Sequence, residues 1–148
     1  MKVPPTVQTL IAAALAWVLG RVAPFWHVEA QVSVVGIGVS VAIALVFLVS
    51  ALLRFRSQRT TVDPMNPDKA QSLVVTGIYK VTRNPMYVGF VCLLAAWCFY
   101  LGNLSAFLTL PVFVLVMTQF QIKAEDRALE AKFGTDYTSY MRRVRRWL

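Results

Sequence analysis

Four long apolar runs divide this sequence, and none shows the one-sided striping of a helix that packs on a soluble core. The second, Val32 to Leu53, is the clearest: 22 residues without a charge. At about 1.5 Å per residue it covers a bilayer core of roughly 30 Å. The first run begins at Pro4 and Pro5, which suit a first helical turn, and ends near Ala23 before Pro24. Arg21 must then snorkel to an interface, where Trp17 and Trp26 form part of an aromatic belt. The third and fourth runs, Met86 to Leu101 and Leu104 to Phe120, are separated only by Gly102-Asn103. That spacing predicts a tight helical hairpin, tilted or extended by polar residues because each arm is short for a span. The pattern therefore predicts an all-α integral membrane protein of about four transmembrane helices, the last two a hairpin.

The polar stretches complete the plan. Ser57 to Lys80 is a connection broken by Pro64 and Pro67, with turn chemistry at Asn66 and Asp68 and a short half-buried stretch at Leu73-Val74-Val75. Glu125 to Phe133 reads as a charged helix closed by Gly134. Thr135 is expected to cap a last helix, in which Tyr137, Tyr140, Met141, Val144 and Trp147 recur at helical spacing among Arg142, Arg143, Arg145 and Arg146. That is an amphipathic helix for a membrane surface or for packing against the helix ends. The whole reads as one domain over 1–148: two spans in 1–53, a loop over 54–85, the hairpin over 86–120 and tail helices over 121–148.

Composition agrees with the pattern. Hydrophobic residues make up 57% and charged residues 15%, against roughly 25% charged in soluble domains, and mean hydropathy is +0.59. The net charge of +8 is placed asymmetrically. With four spans, 14 of the 15 Lys and Arg fall on one side: Lys2; Arg54, Arg56, Arg59, Lys69, Lys80 and Arg83; and seven in the tail. The positive-inside rule makes that side cytosolic, with both termini on it. Charge that flanks spans meets lipid headgroups, so nucleic acid is not an expected partner. No small-x-small site follows the first run, which reads as a span and not a signal peptide. Cys92 and Cys98 lie six apart inside one run and face differently, which argues against a disulfide. His27 alone offers no transition-metal site and sits best as an interfacial residue.

Chemistry concentrates at Arg83-Asn84-Pro85-Met86-Tyr87-Val88-Gly89. Asn is a favoured N-cap and Pro a favoured first helical residue, so Asn84 is expected to cap the third span and Pro85 to open it. The helix start beside Arg83 would then suit a carboxylate or phosphate. Counting outward from the hairpin turn sets Glu125 level with Lys80, within about one turn of Arg83. Tyr79, Arg83, Asn84, Tyr87, Gln121, Glu125 and Asp126 thus converge where the hairpin leaves the membrane. Both signs of charge at one place suit a zwitterionic ligand. Gly36 and Gly38 are expected to serve close helix packing.

These residues, with Thr76-Gly77-Ile78-Tyr79, Glu125-Asp126-x-x-Leu129 and Phe133-Gly134-x-x-Tyr137-x-x-Tyr140-x-x-Arg143-Val144-x-Arg146, resemble the isoprenylcysteine carboxyl methyltransferases and the related bacterial phospholipid methyltransferases. The likeness runs from about Thr60 to Leu148, about 60% of the chain. It implies a membrane-embedded methyltransferase using S-adenosylmethionine, in the inner membrane of a bacterium, acting on a small lipophilic or isoprenoid-like acceptor. It further implies that Arg83, Asn84, Pro85, Tyr87, Glu125 and Asp126 contact the cofactor, with Arg83 and Glu125 as the catalytic pair. Thr76, Gly77 and Tyr79 would shape the entrance, and Tyr137 and Tyr140 would help close it. Many members carry His where Asn84 stands and a Glu pair where this chain has Glu125-Asp126. Two rival readings are a membrane reductase of sterol-reductase type using NADPH and a non-catalytic protein that keeps the fold.

Overall fold

The computed structural model describes residues 3–57 and 72–148. Lys2, Arg59, Pro64, Asn66, Pro67, Asp68 and Lys69 lie outside them. Among the described residues six α-helices follow in order: α1 (Pro5–Val22), α2 (Ala30–Ser57), α3 (Pro85–Leu101), α4 (Thr109–Val116), α5 (Lys123–Phe133) and α6 (Thr135–Arg143). A 3₁₀ turn at Gly77–Lys80 precedes α3, and another at Leu104–Leu108 leads into α4. A π-helical segment, Met117–Ile122, joins α4 to α5. The 3₁₀ turn, α4, π segment and α5 thus form one long rod, Leu104–Phe133. That rod, α1 and the apolar part of α2 are long and apolar enough to cross a membrane, and α3 is a shorter apolar helix. This is an all-α membrane protein.

Exposed side chains make the same point. Val34 and Phe120 are 70% and 73% exposed, and large apolar residues line the outside of α1, α2 and α4. Such a surface is stable only in lipid. With apolar surface on both sides of the helix contacts, packing and not the hydrophobic effect must hold helices together, and that favours small residues at interfaces. Ala44 and Ala51 of α2 and Ala12 and Ala16 of α1 are all buried. Gly36 of α2 lies where a Cβ would come within 2.5 Å of the Phe99 ring, and Gly89 of α3 is covered by Leu48. Gly38, expected to pack in the same way, has nothing within 4 Å of its Cβ position. It lies two residues on from Gly36, about 200° around the helix, and so faces away.

The hairpin turn forms where the Gly-Asn pair predicts it. Gly102 sits at φ 62°, the left-handed geometry that ends α3. Asn103 is buried and organises the far end. Its Oδ1 accepts from the Phe25 N–H at 3.1 Å, the Ser105 N–H at 3.1 Å and the Ser105 hydroxyl at 2.8 Å. Val28 donates to the Gly102 carbonyl and Leu104 to that of Trp26, so the α1–α2 loop is stitched to the hairpin tip. This places α1, α2 and the hairpin in one bundle, with the basic ends together opposite the tip.

Three expectations about helix ends need correction. Thr135 is the first helical residue of α6, and Gly134 stands at the N-cap position. Asn84 precedes α3, but its side chain makes no capping bond. The tail does not stay helical to Trp147: α6 stops at Arg143 and Val144 is extended, at φ −125° and ψ 132°. The segment after Val144 crosses the start of α3, and the Asn84 amide turns to donate to the Arg146 carbonyl there.

The Gly36 contact gives a stability test. Gly36→Val should lower stability in detergent by about 1–3 kcal/mol through overpacking, whereas Gly38→Ala should leave it unchanged or slightly raised. Thermal melts of the two variants check this.

Candidate functional site at the basic end of the hairpin

The last four residues form a strap. Arg83 N–H donates to the Arg145 carbonyl at 3.0 Å. The Thr82 hydroxyl donates to the Arg146 carbonyl at 3.1 Å, and the Asn84 amide donates to the same oxygen at 2.9 Å. The Trp147 indole donates to Thr118 at 3.1 Å, in the π segment. Asn84 is therefore held to the strap and not to its own helix, and its N–H is satisfied by Thr82. Pro85 opens α3 as the spacing predicts and needs no partner for its nitrogen.

Beneath the strap lies an ion cluster. Arg83 and Asp126 pair at 3.2 Å, with side chains only 9% and 12% exposed. Arg146 places Nε and Nη2 on the other oxygen of Asp126, at 3.2 and 2.9 Å. The Tyr137 hydroxyl also donates to Asp126. The acid that meets Arg83 is thus Asp126 and not Glu125. A carboxylate this buried needs such partners, because desolvating an ion costs several kcal/mol. Nε of Arg83 is buried and finds no acceptor among the described residues.

Glu125 faces elsewhere. Its Oε1 accepts from the Tyr87 hydroxyl and from the Gln121 amide, each at 2.5 Å. Neighbouring helical residues point about 100° apart, so one turn of α5 offers acids to two different places. Residue counting set Glu125 level with Lys80, but its partner is Tyr87, about two turns deeper. The π segment accounts for part of this shift: a turn closed by i→i+5 bonds takes in more residues than an α turn and holds the following acids back toward the membrane.

The aromatic residues wall the site. Thr76 and Gly77 start the 3₁₀ turn that ends in Tyr79 and Lys80. Gly77 has φ 62°, and the guanidinium of Arg54 packs where a Cβ would stand. Tyr140 donates to the Tyr79 carbonyl at 2.7 Å, linking α6 to that turn. Tyr79, Tyr137 and Tyr140 are buried among Ala51, Val74 and their neighbours. Burial pushes all three phenols above their ordinary value, aided at Tyr79 by Tyr140 and Glu125 and at Tyr137 by Asp126. Thr82, Arg146 and Trp147 join the site without having been expected there. The Arg-Val-x-Arg tail ending in Trp-Leu offered a signal, but its helical spacing pointed to a surface helix.

With this geometry in hand, comparison with known proteins is informative. Residues 32–136 match the phospholipid methyltransferase family. The chain belongs to that family. The match takes in α2, whose residues carry no motif recognisable from sequence, and it leaves out α1 and the strap. A 63-residue stretch is 48% identical to the full length of an uncharacterized protein of Haemophilus influenzae, and covers 43% of this chain. The chain is also similar to methanethiol S-methyltransferase of Pseudomonas deceptionensis, 28% identical over 130 residues, which is 80% of this chain and 47% of that protein. Methanethiol S-methyltransferase 2 of Bradyrhizobium diazoefficiens is 39% identical over 77 residues, 50% of this chain and 27% of its own length. The chain thus spans less than half of either methanethiol S-methyltransferase. No solved structure matches it.

The cluster makes two predictions. Asp126→Asn should cost about 3–5 kcal/mol, the scale for breaking a buried pair and leaving its partner charge behind; denaturant or thermal unfolding in detergent measures it. The phenols give a pH dependence. Their folded values are raised, so above about pH 10 the unfolded chain loses protons that the folded one keeps, and stability falls as pH rises. Removing Tyr140 (Tyr140→Phe) should leave the phenolate absorbance of the folded protein near pH 10 unchanged, and lower the amplitude only once the chain unfolds.

Proposed function

We propose that this protein transfers a methyl group from S-adenosylmethionine to a small lipophilic acceptor, at the boundary between the membrane and the cytosol. The observation that carries the reading is the placing of a buried cation and a separate carboxylate about one helical turn apart. Arg83 presents a buried, unmatched Nε–H, and about one helical turn along α3 Glu125 is held by two neutral donors. A zwitterion with a carboxylate and an ammonium suits that pair, so the residues present fit the cofactor. Bound there, S-adenosylmethionine would supply a methyl group on a sulfonium, already activated for displacement.

The chain's own residues would then do four things. Arg83 would direct Nε–H toward a carboxylate, its other donors being fixed by Asp126. Glu125 would accept an ammonium or take a proton from an incoming thiol or amine, its position set by Tyr87 and Gln121. Asp126 is already engaged by Arg83, Arg146 and Tyr137, so the proton-accepting role falls to Glu125. The strap and the walls formed by Tyr79, Tyr137 and Tyr140 would exclude water and hold the reactants in line, the main contribution a protein makes to such a transfer.

The family supports methyl transfer over nicotinamide-dependent reduction, and the names of the two methanethiol S-methyltransferases point to sulfur as one acceptor class. We place the basic end in the cytosol of a bacterium, because the charge asymmetry follows the positive-inside rule. Calorimetric titration of the purified protein in detergent tests the reading. S-adenosylmethionine and S-adenosylhomocysteine should bind with micromolar affinity, weakened about tenfold or more in Arg83→Ala and in Glu125→Gln. No binding to the wild type, binding of NADPH alone, or unchanged affinity in both variants would refute it.

A further inference from the structure

A groove of about 590 Å³ runs between α1 and the rod formed by α4 and the π segment. That volume is in the range of sites for small molecules, about 300–1,000 Å³. Its walls are apolar and exposed for most of its length: Ile11 and Leu15 on one side, Val112 and Val116 on the other. From Gln8 to Leu19 on α1 it extends about 16 Å along the helix axis. Thr109, near the hairpin tip, is satisfied by the Ala106 carbonyl at 2.7 Å. The polarity that remains is at the basic end, at Gln8 and Gln121.

Gln8 is the telling residue. Its Nε2 donates to the Val3 carbonyl at 2.9 Å, which fixes the amide's orientation because that carbonyl can only accept. Oε1 is thereby turned inward, buried, and without a donor among the described residues. Buried carbonyl oxygens rarely go unpaired. Gln121 shares this end of the groove and is the residue that donates to Glu125. One side chain therefore separates the groove from the acid assigned to the reaction.

We propose that this groove binds a single-chain amphiphile drawn from the bilayer, its chain along α1 and α4 and a hydroxyl or N–H of its head donating to Gln8 Oε1. The shape and the one missing donor select this occupant. A transmembrane helix of a second copy has its backbone groups already satisfied and would have to bring a polar side chain to that point. A plain hydrocarbon fills the walls and leaves Gln8 unmatched. α1, which supplies Gln8 and one wall of the groove, lies outside the stretch matched by the family, and the α4 wall lies inside it. That the ligand is the methyl acceptor rests on the methyl-transfer reading; that the groove binds an amphiphile does not.

The test uses the full chain in lipid nanodiscs and a long-chain primary alcohol with a mid-chain diazirine, beside the corresponding hydrocarbon without the hydroxyl. After photolysis, mass spectrometry should find the alcohol saturably attached to peptides of α1 and α4, competed by unlabelled alcohol. Gln8→Leu should weaken the alcohol about tenfold, to the level of the hydrocarbon. Leu15→Trp, which fills the groove, should abolish labelling by both. Equal labelling of α1, α4 and the lipid-facing side of α2 around Val34 and Val46 would overturn the proposal, as would an unchanged alcohol preference in Gln8→Leu. S-adenosylmethionine binding is measured on the same preparation. If it fails while labelling persists, the methyl-transfer reading falls and the amphiphile site stands.

Discussion

The carboxylate of Asp126 is the point to which the basic end of this protein is tied. It is nearly buried and takes four donated hydrogen bonds, from Arg83, twice from Arg146, and from Tyr137. These partners come from the start of α3, from the chain terminus and from α6. A charge removed from water must be compensated where it sits, so three separate segments are drawn to one atom pair. Once Arg146 is there, its carbonyl is within reach of Thr82 and Asn84, and the strap is laid across the helix start.

This knot also decides what is left for chemistry. Asp126 is enclosed by cations and a phenol, whereas Glu125, on the next face of the helix, accepts from Tyr87 and Gln121. The two acids look alike in the sequence and have opposite surroundings in the fold. The π segment contributes by holding Gln121 and Thr118 at the level where α3 begins. Thr118 anchors the indole of Trp147, and Gln121 faces both Glu125 and the groove. Local widening of a helix at a functional site is a recurrent device, since it re-aims side chains without breaking the rod.

A methyltransferase that joined a charged cofactor to a lipophilic acceptor would have to serve two reactants with opposite solubilities. The buried ion cluster lies where α3 and α5 meet, and the groove beside α1 is apolar and exposed for most of its length. Small residues on α1 and α2 allow the bundle to close tightly elsewhere, so the groove is a local exception to otherwise dense packing. The family match takes in Arg83, Glu125 and Asp126 but not Tyr137 or Arg146, and α1 supplies one wall of the groove.

Much of this was written in the linear pattern, and the reason is energetic. A run such as Val32–Leu53 has no stable place but a bilayer, and a Gly-Asn pair between two such runs has few alternatives to a turn. The helices, the hairpin and the gathering of basic residues at one end follow from those local costs. Choice of partner does not. Arg83 could meet either neighbouring acid, Asn84 had a local bond available at its own helix start, and Trp147 sat at good helical spacing. Each was settled by contacts with residues 29 to 62 positions away, where burial of one carboxylate outweighed the short-range preference. Spacing along a chain reports which face of a helix a side chain is on; which charge lies opposite depends on how the helices come together in three dimensions.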